Sequence, residues 1–170
     1  MSDSDSPVFP TSVPTFVPAF LERAIEAALQ GARAGEGGPF GAVVVRDGRI
    51  LAEACNQVTT LNDPTAHAEI QAIRKACAAL GRFLLDGCEI YASCEPCPMC
   101  LGALYWARPR TVYFAATRAD AAAAGFDDAL IYDELSRPPA EQRLVMRRMP
   151  AARAQAPFEL WKEKGDRINY

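Results

Sequence analysis

From Phe16 onward the apolar residues Phe16, Phe20, Leu21, Ala24, Ile25, Ala28 and Leu29 recur three and four apart, the period of one face of a helix. The glycines of GARAGEGGP (31–39) predict its end, since glycine readily takes the left-handed conformation that stops a helix. FGAVVVRDGRILAEA (40–54) then carries two β-rich runs about Asp47-Gly48, the pattern of a hairpin with a two-residue turn. In NDPTAHAEIQAIRKACAALG (62–81) helical spacing returns. Asn62 or Asp63 is expected to cap this second helix and Pro64 to sit in its first turn, with Gly81 at its end.

CEIYASC (88–94) alternates as a strand, and PCPMCLGALYWA (96–107) follows as a helix whose prolines fall only in the first turn, where proline is tolerated. RTVYFAA (110–116) is expected as a fourth strand, ADAAAAGF (119–126) as a short helix or turn, and RLVMRRM (143–149) as a short last strand. ALIYDEL (129–135) fits either period, and PFELWKEKG (157–165) reads as a terminal helix. Helices alternating with strands, with no internal repeat, predict a single α/β layer structure built on a mixed sheet.

Composition narrows the functions open to such a fold. Of the 170 residues half are hydrophobic and 23% charged, a globular profile with no apolar run of membrane-spanning length. The formal net charge is -3, which gives no general positive field for nucleic-acid phosphates. The local run RLVMRRMPAAR (143–153) is basic, and its simplest role is a solvated face. MSDSDSPVFPTSVP (1–14) is acidic and rich in serine and proline, with neither a basic start nor an apolar stretch. It predicts a disordered tail over residues 1–17 and no secretory signal. Six cysteines are too sparse for a disulfide scaffold, so a reducing, cytoplasmic setting and metal binding are expected.

SCEPCPMC (93–100) places Cys94, Cys97 and Cys100 at equal intervals. The ferredoxin pattern requires a fourth cysteine, with proline after it, where Leu104 stands, so an iron-sulfur reading fails. Cys97 and Cys100 belong to the start of a helix, where amide N–H groups favour thiolate, whereas Cys94 ends a strand and is expected as a small buried residue. The one histidine, His67, is predicted at the start of the preceding helix. In a parallel arrangement both helix starts meet at one edge of the sheet. His67, Cys97 and Cys100 then make a three-ligand zinc site with an open fourth position, the mark of a catalytic centre. A closed structural site completed by Cys94 has the same spacing and remains the alternative. Glu69, two residues beyond His67, does not share its face on an ideal helix. Its expected role is to move protons beside an activated water.

H-x-E at His67–Glu69 followed by P-C-x-x-C at Pro96–Cys100 is the signature of zinc deaminases. With GGPFGAVVV, NDPTAHAEIQAIRKAC, ASCEPCPMCLGALYWARP, AGFDDALIY and the terminal Tyr170, residues 18–170 resemble the cytidine-deaminase-like superfamily, and within it the small bacterial guanine deaminases. The resemblance implies a three-layer α/β/α sandwich around a mixed five-stranded sheet. It implies one zinc per subunit on His67, Cys97 and Cys100, with Glu69 as proton shuttle and Asp128 as a second catalytic carboxylate. It places Asn56, Phe40, Ala68 and Tyr170 at the purine, and a homodimer that exchanges a C-terminal segment of about residues 150–170. Read from residue type alone, Asn56 could equally satisfy backbone at a strand end, and Asp127 competes with Asp128. The expected reaction is hydrolysis of guanine to xanthine and ammonia. Guanosine is the nearest alternative substrate and tRNA adenosine a more distant one.

Overall fold

The structure is a computed structural model and describes residues 14–169. The first thirteen residues of the expected tail and Tyr170 lie outside the described residues. The chain forms two compact units, one running to Asp128 and one beginning at Ala129.

In the first unit the sheet order is β2-β1-β3-β4, with β1 (Gly41–Arg46), β2 (Arg49–Cys55), β3 (Cys88–Cys94) and β4 (Thr111–Ala116). β1 pairs antiparallel with both β2 and β3, and β3 pairs parallel with β4. β2, β3 and β4 therefore point the same way. The hairpin turns where expected, with φ of 50° at Asp47 and 71° at Gly48; two successive positive values match a primed turn, whose twist suits the flanking strands.

β1 is buried from Gly41 to Val45 because helices cover both faces. Val43 and Val45, with Tyr91, meet Ala24, Phe20 and Leu21 of α1 (Pro18–Arg33). Ala42, Val44 and Ile90 meet Ala68, Ala72 and Ala76 of α3 (Ala68–Leu80) and Leu104 and Ala107 of α4 (Pro98–Ala107) on the other face. A one-turn helix, α2 (Val58–Leu61), lies between β2 and α3, and α5 (Arg118–Ala123) follows β4. These are the three layers expected. Residues before α1 pack as well: the Phe16 ring centroid is 5.3 Å from that of Tyr113, and the Tyr113 hydroxyl donates to the Pro14 carbonyl.

α1 approaches β1 at backbone distance. A Cβ built on Gly41 would stand 2.1 Å from the Ala24 carbonyl oxygen and 2.6 Å from the Ala28 nitrogen. Gly41→Ala must push the helix off the sheet and is expected to cost about 2–3 kcal/mol, read as a lower denaturant midpoint with an unchanged slope.

The second unit contains α6 (Ala129–Leu135), a 3-10 turn (Pro139–Glu141) and α7 (Ala156–Glu163), none with a buried residue. ALIYDEL is thus helical. The fifth strand expected at 143–149 is not formed: that segment is irregular, with Leu144 74% and Met149 76% exposed. A strand needs a neighbour to satisfy its ladder, and among the described residues the sheet has four strands. Among the described residues no helix is long and apolar enough to cross a membrane.

Candidate active site

Because β2 and β3 run the same way, the helices that follow them both start at one edge of the sheet. Those starts differ from the sequence expectation in a way that builds the site. Asp63 does not cap α3. Its Oδ1 accepts from the Thr65 N–H at 2.8 Å and the Thr65 hydroxyl at 2.7 Å, closing a turn of its own. The helix begins only at Ala68, and His67 is its N-cap, with extended backbone at φ -67° and ψ 157°. His67 is therefore outside the helix, and the rule that separates residues two apart does not apply to it. Cys97 is likewise the N-cap of α4 and Cys100 its third residue, positions whose side chains face one another.

His67 Nδ1 lies 3.5 Å from Cys97 Sγ and 3.5 Å from Cys100 Sγ. The three donor atoms are all within 4.8 Å of one another. Around a tetrahedral zinc with bonds of about 2.3 Å to sulfur and 2.0 Å to nitrogen, a sulfur–nitrogen edge is about 3.5 Å. The donor set fits that ion. The two thiols differ: the Cys100 hydrogen bond, with help from His67, holds Cys97 well below the usual thiol range. Donation to Cys97 together with burial pushes Cys100 up. Their contact thus already favours a thiolate in the cluster. Cys94 stands apart, its Sγ donating to the Thr117 carbonyl at 3.5 Å, and it does not belong to the ligand group.

Glu69 is 8% exposed, and its Oε2 accepts from Cys100 Sγ at 3.5 Å. Burial pushes its carboxyl up. His67, Glu69 and Cys97 all line one cavity of about 370 Å³. Phe40 and Phe126 stand in its wall, with ring centroids 5.0 Å apart and planes at 86°. Asn56, 5% exposed, also lines it. Its Oδ1 accepts from the N–H groups of Gly38 and Val58, each at 3.1 Å, so the side-chain NH2 is the group left to meet a ligand. The backbone reading of Asn56 is realised by the oxygen of its amide.

Asp127 and Asp128 both reach the cavity, Asp127 exposed and Asp128 half-buried. Burial, and then the Cys97 thiolate, raise the Asp128 carboxyl. Ala68 is fully buried in the core and is not part of the cavity wall. Glu95, Arg118 and Phe126 line the cavity without having been singled out from sequence. Phe126 stands inside the AGFDD run, where only the aspartates drew notice.

Residues 15–116 match the family of the cytidine and deoxycytidylate deaminase zinc-binding region. The chain belongs to this family. Within the deaminases it is 55% identical over 137 residues to the guanine deaminase of Bacillus subtilis, a match spanning 81% of this chain and 88% of that protein. An X-ray structure of guanine deaminase from Bacillus subtilis superposes with a TM-score of 0.89 at 52% identity, covering 92% of this chain and 99% of that one. The tRNA-specific adenosine deaminase of Agrobacterium fabrum is 51% identical over only 78 residues, 46% of this chain and 51% of that protein. The cytidine-deaminase-like fold and a zinc-binding deaminase centre follow from these matches.

Proposed function

We propose that the chain is a zinc-dependent guanine deaminase, hydrolysing guanine to xanthine and ammonia. The observation that carries this reading is a single cavity that joins His67 and Cys97 of the metal-ligand cluster, a buried carboxylate, an amide donor and a second carboxylate. Guanine presents acceptors at O6 and N7 and donors at N1 and the 2-amino group. The NH2 of Asn56 suits the first edge and Asp128 the second. Phe40 and Phe126 offer apolar contact for a flat purine ring. The match to a guanine deaminase over four-fifths of the chain, against under half for a tRNA deaminase, supports a free base over a nucleic acid.

His67, Cys97 and Cys100 would hold zinc, which when bound lowers the pKa of a water to about 7. The remaining work falls to the chain. Glu69 takes one proton from the water and passes it to N3 as the C2–O bond forms. It then moves the second proton to the 2-amino group, so that the C2–N bond breaks with ammonia as the leaving group. Asn56 holds the base by its acceptor edge, and Asp128 keeps C2 beside the water through both transfers.

The same reading includes a homodimer that exchanges its C-terminal segment, with Tyr170 closing the partner's cavity. It is supported by the second unit, where Phe158 is 63% and Leu160 64% exposed and no helical residue is buried. The six free thiols agree with a cytoplasmic, reducing location.

Ammonia release from guanine, guanosine, adenine and cytosine, offered in parallel to zinc-replete protein, tests the substrate. Guanine is expected to be turned over far faster than the other three. Faster release from guanosine would move the enzyme to nucleosides, and release from none would overturn the guanine reading in favour of a tRNA substrate or a structural zinc site.

A further inference from the structure

Behind the substrate cavity, three polar side chains that do not line it form one run of hydrogen bonds. Gln71, in α3 two residues beyond Glu69, donates through Nε2 to Gln57 Oε1 at 3.1 Å. Gln57, just after β2, donates through its own Nε2 to Glu36 Oε2 at 2.8 Å. Glu36 belongs to the loop between α1 and β1, and the Cys55 thiol donates to the same oxygen at 3.3 Å. The loop is tied at its backbone too, the Glu36 carbonyl accepting from the Thr60 hydroxyl at 2.8 Å and from the Thr59 hydroxyl at 3.2 Å.

This loop is the one that orients Asn56. Two residues past Glu36, the Gly38 N–H donates to Asn56 Oδ1. Between them, Gly37 has no room for a side chain, since a Cβ there would stand 2.4 Å from that oxygen. The aim of the Asn56 NH2 therefore depends on where the loop sits. The bridge is also directional. An ionised Glu36 can only accept, so Gln57 must present NH2 to it and oxygen to Gln71.

We propose that Gln57 is a positioning residue for base recognition. It clamps the Glu36 loop to the helix that carries Glu69, and so keeps the Asn56 NH2 aimed at the acceptor edge of the purine. The Asn56 contact is made in ground and transition states alike, so loosening it weakens binding without slowing the proton transfers. This inference rests on the guanine deaminase reading.

Gln57→Leu removes both bonds of the bridge at similar size. KM for guanine is expected to rise about 3- to 10-fold, the equivalent of one or two neutral hydrogen bonds, with kcat within about twofold and zinc content unchanged. Gln57→Glu sets a second carboxylate against Glu36 and should raise KM further. Adding Glu36→Gln to Gln57→Glu reverses the polarity of the bridge, because the amide introduced at 36 can donate to the carboxylate introduced at 57. The double variant is expected to return KM to within about twofold of the parent, an interaction that independent sites would not show. Thermal midpoints of all three identify any variant that fails to fold, and Gln57→Leu carries the test if Gln57→Glu does so. Wild-type KM in Gln57→Leu, or a double variant no better than Gln57→Glu alone, would overturn the proposal. The parent protein, assayed alongside, separates the two claims: if it releases no ammonia from guanine, the functional reading itself fails.

Discussion

Glu69→Gln should leave zinc bound and reduce kcat by roughly 10²- to 10⁴-fold, the range of a lost general acid–base group. The substitution keeps the size and shape of the side chain, which stands 3.5 Å from Cys100 Sγ through Glu69 Oε2. It removes only the capacity to exchange a proton. Glu69 lies outside the ligand group, so metal content should stay near one ion per chain. Steady-state ammonia release combined with metal analysis of the purified variant reads both quantities. A zinc-loaded variant with parental turnover would take the shuttle away from Glu69, and Asp128 would be the next carboxylate to test.

Cys97→Ala is expected to lose zinc and, with it, all measurable ammonia release. Two of the three closest donor atoms cannot hold an ion that requires at least three protein ligands at a catalytic centre. Cys94→Ala provides the contrast. Its thiol is spent on the Thr117 carbonyl, so this variant should keep its zinc and its activity. Zinc loss from Cys94→Ala would mean a closed, four-ligand site and would remove the open position that hydrolysis needs. Metal analysis of the two variants side by side decides between those arrangements.

The elements that sequence reveals best here are those set by a single dominant local preference. Asp47-Gly48 has one favourable turn available, and β1 and β2 follow from it. The start of α3 was misplaced because Asp63 has two local uses of similar energy, capping a helix or closing a turn on Thr65, and the turn is the one formed. That shift moves His67 from the first helical turn to the cap. It explains how Glu69 joins the same site although the two residues are only two apart. The metal-ligand trio was legible because cysteine and histidine at those spacings serve few other purposes. The Glu36–Gln57–Gln71 run was not, since each residue is ordinary in isolation and only the fold brings them together. The strand expected at 143–149 shows the same limit, as a short apolar run alone does not supply a partner.

His67 and Cys97 occupy N-cap positions, yet neither makes a side-chain capping bond. Serine, aspartate or asparagine at such a position typically contributes about 1 kcal/mol, so a chain selected for stability alone would not place imidazole and thiol there. A zinc ion held by His67, Cys97 and Cys100 would instead tie the two helix starts together through the side chains at those cap positions. Evolution toward greater robustness at these two positions and evolution toward deamination pull in opposite directions, which makes a stable but inactive descendant of this fold easy to reach.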